Sequence, residues 1–268
     1  MKIVGELINA SRNEIAEAIE SQDAEKIRDI ASVQAQAGAD FIDVNAGVFV
    51  GKESEYLNWL IETVQEAVDT PCAIDSPDPR AIEAAMPVHK GTAMINSISL
   101  EKDRLENLLP VISGTDMKVV ALCMSDDGMP ESVDDRLSIA DKLINNLVRN
   151  NIPLDSIYVD PLVQPVATNQ DYGTAFLDSV QELMDRFEGI HTICGLSNIS
   201  YGLPNRKYLN RTFISMAIAK GLDTAIVNPL DTKIMADITV ACTIAGKDEF
   251  CMNYLKAHRA GRLEADMN

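Results

Sequence analysis

The residues best suited to chemistry in this 268-residue chain stand at the ends of short apolar runs. Eight such runs can be traced, at residues 2–8, 41–44, 72–74, 93–95, 119–124, 157–159, 192–196 and 224–227. Closing or following them are Asn9, Asp43, Asn45, Asp75, Asn96, Asp160, Asn198 and Asn228. A carboxylate accepts two hydrogen bonds side by side, and a carboxamide offers one donor and one acceptor. Gathered on one surface, these groups can hold a flat heterocycle by its polar edges. The set is poor in Lys and Arg, which is not the make-up of a phosphate site.

The elements that must position these residues alternate regularly. Asp23 is a capping residue before a helix carrying Ile27, Ile30 and Ala31 and ending at Gly38. Leu57, Leu60, Ile61, Val64 and Val68 make a helical stripe, as do Leu137, Ala140, Leu143, Ile144 and Leu147. Asp78-Pro79 reads as an N-cap with proline at the first helical position, and Pro87 ends that helix early. Asp134 reads as a further cap. Further stripes run through Leu105–Ile112, Phe176–Phe187, Phe213–Ala217 and Ile234–Ile238. Short β-branched strands alternating with helices predict an α/β fold, a (β/α)8 TIM barrel, as one domain spanning 1–268. In that fold the C-terminal strand ends converge on one face. The longer connections, 126–134 and 161–171, would overhang that face as lids. The segment from Asp248 reads as one more helix and a frayed end.

Composition narrows the function. The hydrophobic fraction of 46% supports a sizeable core, and the formal net charge is −18. Such acidity argues against nucleic acid and against an anionic membrane surface. No apolar stretch is long enough to span a bilayer, and the start MKIVGELINA lacks the features of a signal peptide, so a cytoplasmic protein is expected. Five cysteines, none in a C-x-x-C pair, predict free thiols. Cys72, Cys123 and Cys194 lie within strand runs and could converge as a thiolate site, but no His or Cys stands at ligand spacing beside them, so no bound metal is expected. His89 and His191 fall at a helix exit and a strand start, the wrong end of a barrel for ligands.

A carboxylate suits an amidine-like edge, such as the 2-amino group and adjacent ring nitrogen of a pterin or guanine. Asp75, Asn96 and Asp160 end three different strands and could engage several edges of one ring. The alternative is that Asp and Asn merely begin loops and cap helices, which suits Asp78 and Asp134 better than so many strand ends at once. The segments FIDVNAG (41–47), AIDS (73–76), MINS (94–97), YVDP (158–161), GLSNIS (195–200) and PNR (204–206) resemble the pterin-binding family. Within it, the chain is most similar to the methyltetrahydrofolate–corrinoid protein methyltransferases, from the GELIN start to the last strand.

The resemblance implies a methyl transfer between N5 of (methyl)tetrahydrofolate, the substrate, and the cobalt of a corrinoid carried by a partner protein. It implies that Asp75, Asn96 and Asp160 hydrogen-bond the pterin, with Asp43 and Asn45 lining the same pocket. Asn198, with Ser197 beside it, matches the catalytic Asn near the methyl-bearing nitrogen. Arg206 would contact the folate's outer portion or brace its loop. Glu6 would face inward and tie neighbouring strands. A homodimer is also implied. Two other readings are weighed. Dihydropteroate synthase shares the barrel but wants basic residues for a pyrophosphate leaving group, where this chain has Ser197-Asn198-Ile199-Ser200. A non-catalytic folate-binding subunit would keep the Asp/Asn ring without turnover.

Overall fold

The computed structural model describes residues 1–263. Eight parallel strands form a closed barrel in chain order: β1 Lys2–Asn9, β2 Phe41–Asn45, β3 Cys72–Asp75, β4 Met94–Leu100, β5 Lys118–Ser125, β6 Ile157–Asp160, β7 His191–Gly195 and β8 Thr224–Val227. Between and after them run α1 Asn13–Glu20, α2 Ala24–Gln36, α3 Glu53–Ala67, α4 Pro79–Ala85, α5 Lys102–Ile112, α6 Val133–Arg149, α7 Tyr172–Arg186, α8 Arg206–Lys220, α9 Thr232–Ile244 and α10 Met252–Arg259. The (β/α)8 barrel expected from the strand count is thus the observed fold. Helix α1 is an addition. It is only 8 residues long and lacks a side-chain cap, so it left little signal. The end of the tail, 264–268, lies outside the described residues.

Strand periodicity sorts the side chains. Val4, Phe41, Ala73, Met94, Val120, Tyr158 and Ile193 point inward and form a closed apolar layer across the barrel. Their neighbours point outward: Ile42, Ile74, Ile95, Val119 and Val159 pack beneath the helices. Cys72 and Cys123 belong to this outer layer, and Cys194 to a separate cluster under α7 and α8, so the three thiols do not converge. Burial raises all three thiols, Cys72 to about 12, which keeps them neutral small hydrophobes.

Caps agree with the sequence in two places and differ in one. Asp23 accepts from the backbone N–H of Lys26, and Asp78 from that of Arg80. Asp134 is not a cap. Ser132 caps α6, with Asp135 at the third position completing a reciprocal capping box.

Strand β1 holds an irregularity that bears on the site. Its register against β2 shifts by one residue between Gly5 and Ile8. Glu6 therefore lies on the inward side, Ile8 turns into the outer core, and Asn9 comes level with Asn45. The displaced backbone N–H of Leu7 donates to Oε1 of the fully buried Gln34, at 3.0 Å. A Cβ on Gly5 would stand 2.5 Å from that same Oε1. Gly5→Ala is therefore expected to dislodge Gln34 and destabilise the fold by about 1–3 kcal/mol. A denaturant midpoint unchanged from wild type would show that the bulge tolerates the methyl group.

Candidate active site

Two residues beyond the apolar layer, the same inward period yields a polar ring. The positions after Val4, Phe41, Ala73, Met94 and Tyr158 are Glu6, Asp43, Asp75, Asn96 and Asp160. The period of two that builds the barrel floor thus also builds the floor of its C-terminal mouth. At β5 the ring is broken by Leu122, with Met124 above it, which supplies an apolar wall. At β7 the inward position is Gly195.

The ring is cross-linked. Asn45 Nδ2 donates to Asp75 Oδ2 at 2.9 Å, and Asn45 Oδ1 accepts from the Gly47 backbone at 3.0 Å. Asn96 Nδ2 approaches Asp43 Oδ1 at 3.4 Å. Asp160 Oδ1 accepts from the Leu162 backbone at 2.8 Å. Asp43 is buried at the centre of the ring, so its carboxyl lies well above the usual range through desolvation, repulsion from Asp75 and repulsion from Glu6. Burial, with Glu53 adding to it, lifts Asp75 to about 6 against the pull of Asn45 and Arg104. Burial lifts Asp160 to about 7 against Leu162 and Arg136.

These shifts have a sign. Unfolded, the carboxyls ionise near their ordinary value, so between about pH 4 and 7 the folded protein binds more protons than the unfolded one. Their contribution to stability is fully present below the unfolded pKa and is lost as pH rises through about 6 to 7. The free protein is expected to lose thermal stability from about pH 4 to 7, levelling off above that, and Asp160→Asn to flatten that slope. An equal slope in the variant would mean that Asp160 does not titrate there. A ligand that donates N–H groups to the ionised carboxylates should bind with the opposite trend, about tenfold or more tighter at pH 7.5 than at pH 5.

Asn198 sits past the end of β7, in a short 3-10 turn at 196–200. Its Nδ2 lies 3.4 Å from the point that a Cβ on Gly195 would occupy. Since Gly195 faces inward, the carboxamide of Asn198 takes the place over the mouth that a β7 side chain would otherwise fill. It is exposed toward solvent, and Ser197 is half-buried beside it. Arg206 braces the turn: it donates to Ser200 Oγ at 3.0 Å and to the Ser197 carbonyl at 2.6 Å. Glu6 faces the mouth as expected, but it does not tie strands together. Its partner is Arg12 in the loop that follows β1, at 3.5 Å, and burial raises its carboxyl.

Two arginines that sequence reasoning missed hold the loops around the ring. Arg104, from α5, donates to the carbonyls of Ser97, Pro77 and Ser76 at 2.6, 2.6 and 2.8 Å. It thereby ties the loop after β3 to strand β4 and lines a cavity of about 600 Å³ that opens beside Asp75 and Asn96. Arg136, from α6, is completely buried and donates to the Pro161 carbonyl, the Ser132 carbonyl and Gln164 Oε1. Each stands in a helical stripe where its spacing looks ordinary, so no sequence signal marks it. The pinning also revises the lid at 161–171. Residues 161, 163 and 164 are buried, and only 167–171 are exposed. The 126–134 connection is largely exposed. Among the described residues, no group of three or more His, Cys, Asp or Glu is placed to hold a metal ion.

Comparison with known proteins gives a consistent picture. The chain is 35% identical to the methylcorrinoid:tetrahydrofolate methyltransferase of Eubacterium limosum over 265 residues, 98% of each protein. It is 29% identical over 240 residues to the methionine synthase of Mycobacterium leprae, a match spanning 84% of this chain and 20% of that enzyme. The fold superposes on the dihydropteroate synthase of Coxiella burnetii in complex with pteroic acid, with a TM-score of 0.71, 15% identity, and 91% and 93% of the two chains covered. It also superposes on the dihydropteroate synthase of Xanthomonas albilineans in complex with 7,8-dihydropteroate, with a TM-score of 0.70, 18% identity, and 91% and 93% covered. At those identities the likeness is one of fold. Residues 5–228 match the model of the pterin-binding enzymes, and the chain belongs to that family.

Proposed function

We propose that this chain is a methyltransferase that moves a methyl group between N5 of tetrahydrofolate and the cobalt of a corrinoid carried by a separate protein. The observation that carries the reading is the inward ring of Asp43, Asp75, Asn96 and Asp160, with the Asn198 carboxamide over the same mouth. The identity to the Eubacterium limosum enzyme along the whole of both chains supports the same reading.

In the proposal, Asp75, Asn96 and Asp160 take the pterin's amino group, ring N–H groups and carbonyl. Asn45 orients Asp75, and Asp43 orients Asn96. Ser197 and Arg206 fix the turn that carries Asn198. Transfer to tetrahydrofolate forms the N5–C bond and breaks the Co–C bond, whose electron pair returns cobalt from Co(III) to Co(I), and N5 releases its proton. In the reverse direction N5 is the leaving group, and a methylated tertiary amine leaves only if its developing negative charge is met by a proton or a strong hydrogen bond. A carboxamide serves both directions. Its carbonyl accepts the N5 proton's hydrogen bond, and its N–H donates to the nitrogen as charge develops.

The chain is proposed to be a single domain acting as a cytoplasmic homodimer. Exposed Met216, Val240, Ile244 and Leu255 on α8, α9 and α10 are apolar surface that a second copy would cover. Among the described residues, no helix is long and apolar enough to cross a membrane.

The deciding experiment mixes the protein with methylcobalamin and tetrahydrofolate and follows the visible spectrum of the corrinoid, then runs the reverse reaction with Co(I) cobalamin. Folate binding with transfer is expected. Folate binding without transfer, to free or protein-bound corrinoid, would favour a non-catalytic subunit. Formation of dihydropteroate would favour the synthase, and absence of folate binding would remove the pterin reading.

A further inference from the structure

The mouth of the barrel is electrically two-sided. Beside β3, β4 and β5 its wall carries Asp75, Glu101, Asp103 and Asp126 against a single cation, Arg104. On the opposite side, by β7, β8 and β1, a second cavity of about 290 Å³ is walled by Arg12, Arg206 and Lys207. Its two carboxylates are engaged. Glu6 faces Arg12 at 3.5 Å, and Asp231 accepts from the backbone N–H groups of Lys233 and Ile234 at the start of α9. Lys207 is exposed and forms no hydrogen bond or ion pair among the described residues. The N-cap of α8, Asn205, makes no side-chain cap, so the first turn of this 15-residue helix adds partial positive charge to the same wall. With three cations against two carboxylates this side of the mouth is positive in a chain of net charge −18, while the opposite side is strongly negative, and that contrast calls for an anionic occupant here.

The covalent structure of a reduced folate says which part of the substrate reaches it. The carbon that bears the aminobenzoyl-glutamate arm is bonded to N5. With the pyrimidine edge against Asp75 and Asn96, on β3 and β4, the ring points across the barrel toward β7 and β8. With N5 beneath Asn198, the arm leaves next to residue 197. There the cationic cavity opens: Ser197 lies on its wall and accepts from Arg206 at 2.6 Å.

We infer that the Arg12, Arg206 and Lys207 cavity receives the carboxylates of the substrate's glutamyl arm and favours folates lengthened by further γ-linked glutamates. The inference rests on the pterin reading of the ring. Each added glutamate brings one more carboxylate to a wall on which three cations outnumber two carboxylates. The acidic side of the mouth would repel the same arm, so the cavity also fixes the direction in which the arm leaves and keeps the rest of the mouth open to the corrinoid.

The test measures calorimetric dissociation constants for 6-methyltetrahydropterin, which has no arm, and for the mono- and triglutamate forms of tetrahydrofolate. Wild type is compared with Arg12→Gln, Lys207→Gln and the double variant. The triglutamate is expected to bind wild type about tenfold more tightly than the monoglutamate, a preference weakened by salt. Each single change should reduce that preference about two- to fivefold, as for exposed charge pairs, and the double variant should abolish it. Binding of 6-methyltetrahydropterin should be the same in all four proteins. Equal affinity of wild type for the two folates would overturn the inference, as would equal losses for the ligand without the arm. Unchanged triglutamate affinity with a raised KM for Co(I) cobalamin would also overturn it, by assigning the cations to the corrinoid's phosphodiester. Wild type binding neither the pterin nor the folates would overturn the pterin reading and the arm site together, whereas pterin binding without glutamate preference would overturn the arm site alone.

Discussion

Asn198→Ala is expected to lower methyl-transfer turnover by about 10²-fold, as loss of a donor aimed at developing charge does elsewhere. The dissociation constant of tetrahydrofolate should stay within about threefold of wild type, since Asp75, Asn96 and Asp160 would retain the ring. The carboxamide makes its contribution where charge changes at N5, so its loss should fall on the transition state rather than on the bound substrate. The fold should not suffer: Asn198 is exposed, and substitutions at such positions usually stay within about 0.5 kcal/mol. Single-turnover rates and calorimetry on the same preparations separate the two effects. Equal losses in rate and affinity would reduce Asn198 to a binding residue, and an unchanged rate would remove it from the mechanism.

Replacing Arg136 by methionine should have the largest effect on stability. The side chain is completely buried and donates to the Pro161 carbonyl at 2.8 Å, the Ser132 carbonyl at 3.0 Å and Gln164 Oε1 at 2.7 Å. Methionine fills much of the volume but leaves the buried Pro161 carbonyl and Gln164 Oε1 unpaired, while the Ser132 carbonyl keeps the backbone N–H of residue 136, at a cost of about 3–5 kcal/mol. A second consequence separates this loss from ordinary packing damage. Arg136 lowers the pKa of Asp160, so its removal should move the rise in folate affinity to higher pH. Urea denaturation with an unchanged slope, together with folate binding across about pH 5–8, would measure both. Arg136→Lys retains the charge without the planar fork of donors. It should keep the pH profile while losing part of the stability, and it gives a readable result where the methionine variant does not fold. A lysine variant whose pH profile moves as far as expected for methionine would show that the charge is not what acts on Asp160.

The barrel and its polar ring were legible in the sequence because both follow from a local period. A strand that places Phe41 inward must place Asp43 inward as well, and the same step links Ala73 to Asp75, Met94 to Asn96 and Tyr158 to Asp160. The strand count, the caps at Asp23 and Asp78 and the convergence of the strand ends depend on near neighbours in the chain. Other features depend on partners far away in sequence, and these the tertiary structure decided. Arg104 and Arg136 resemble any polar residue on a helix until they are seen reaching loops about 25 residues away or more, Arg104 to residues 76 and 77 and Arg136 to residues 161 and 164. The bulge in β1, which turns Ile8 outward and brings Asn9 level with Asn45, rests on Gln34 from α2. Asn198 reaches the mouth because Gly195 leaves the space, and Arg206 has its bracing contacts because the turn folds back on itself. Arg12, Arg206 and Lys207 join one wall only once β1 closes against β8. Periodicity sets which side of a strand a residue faces. The closure of the barrel decides which residues then meet, because that depends on contacts between segments that no local pattern relates.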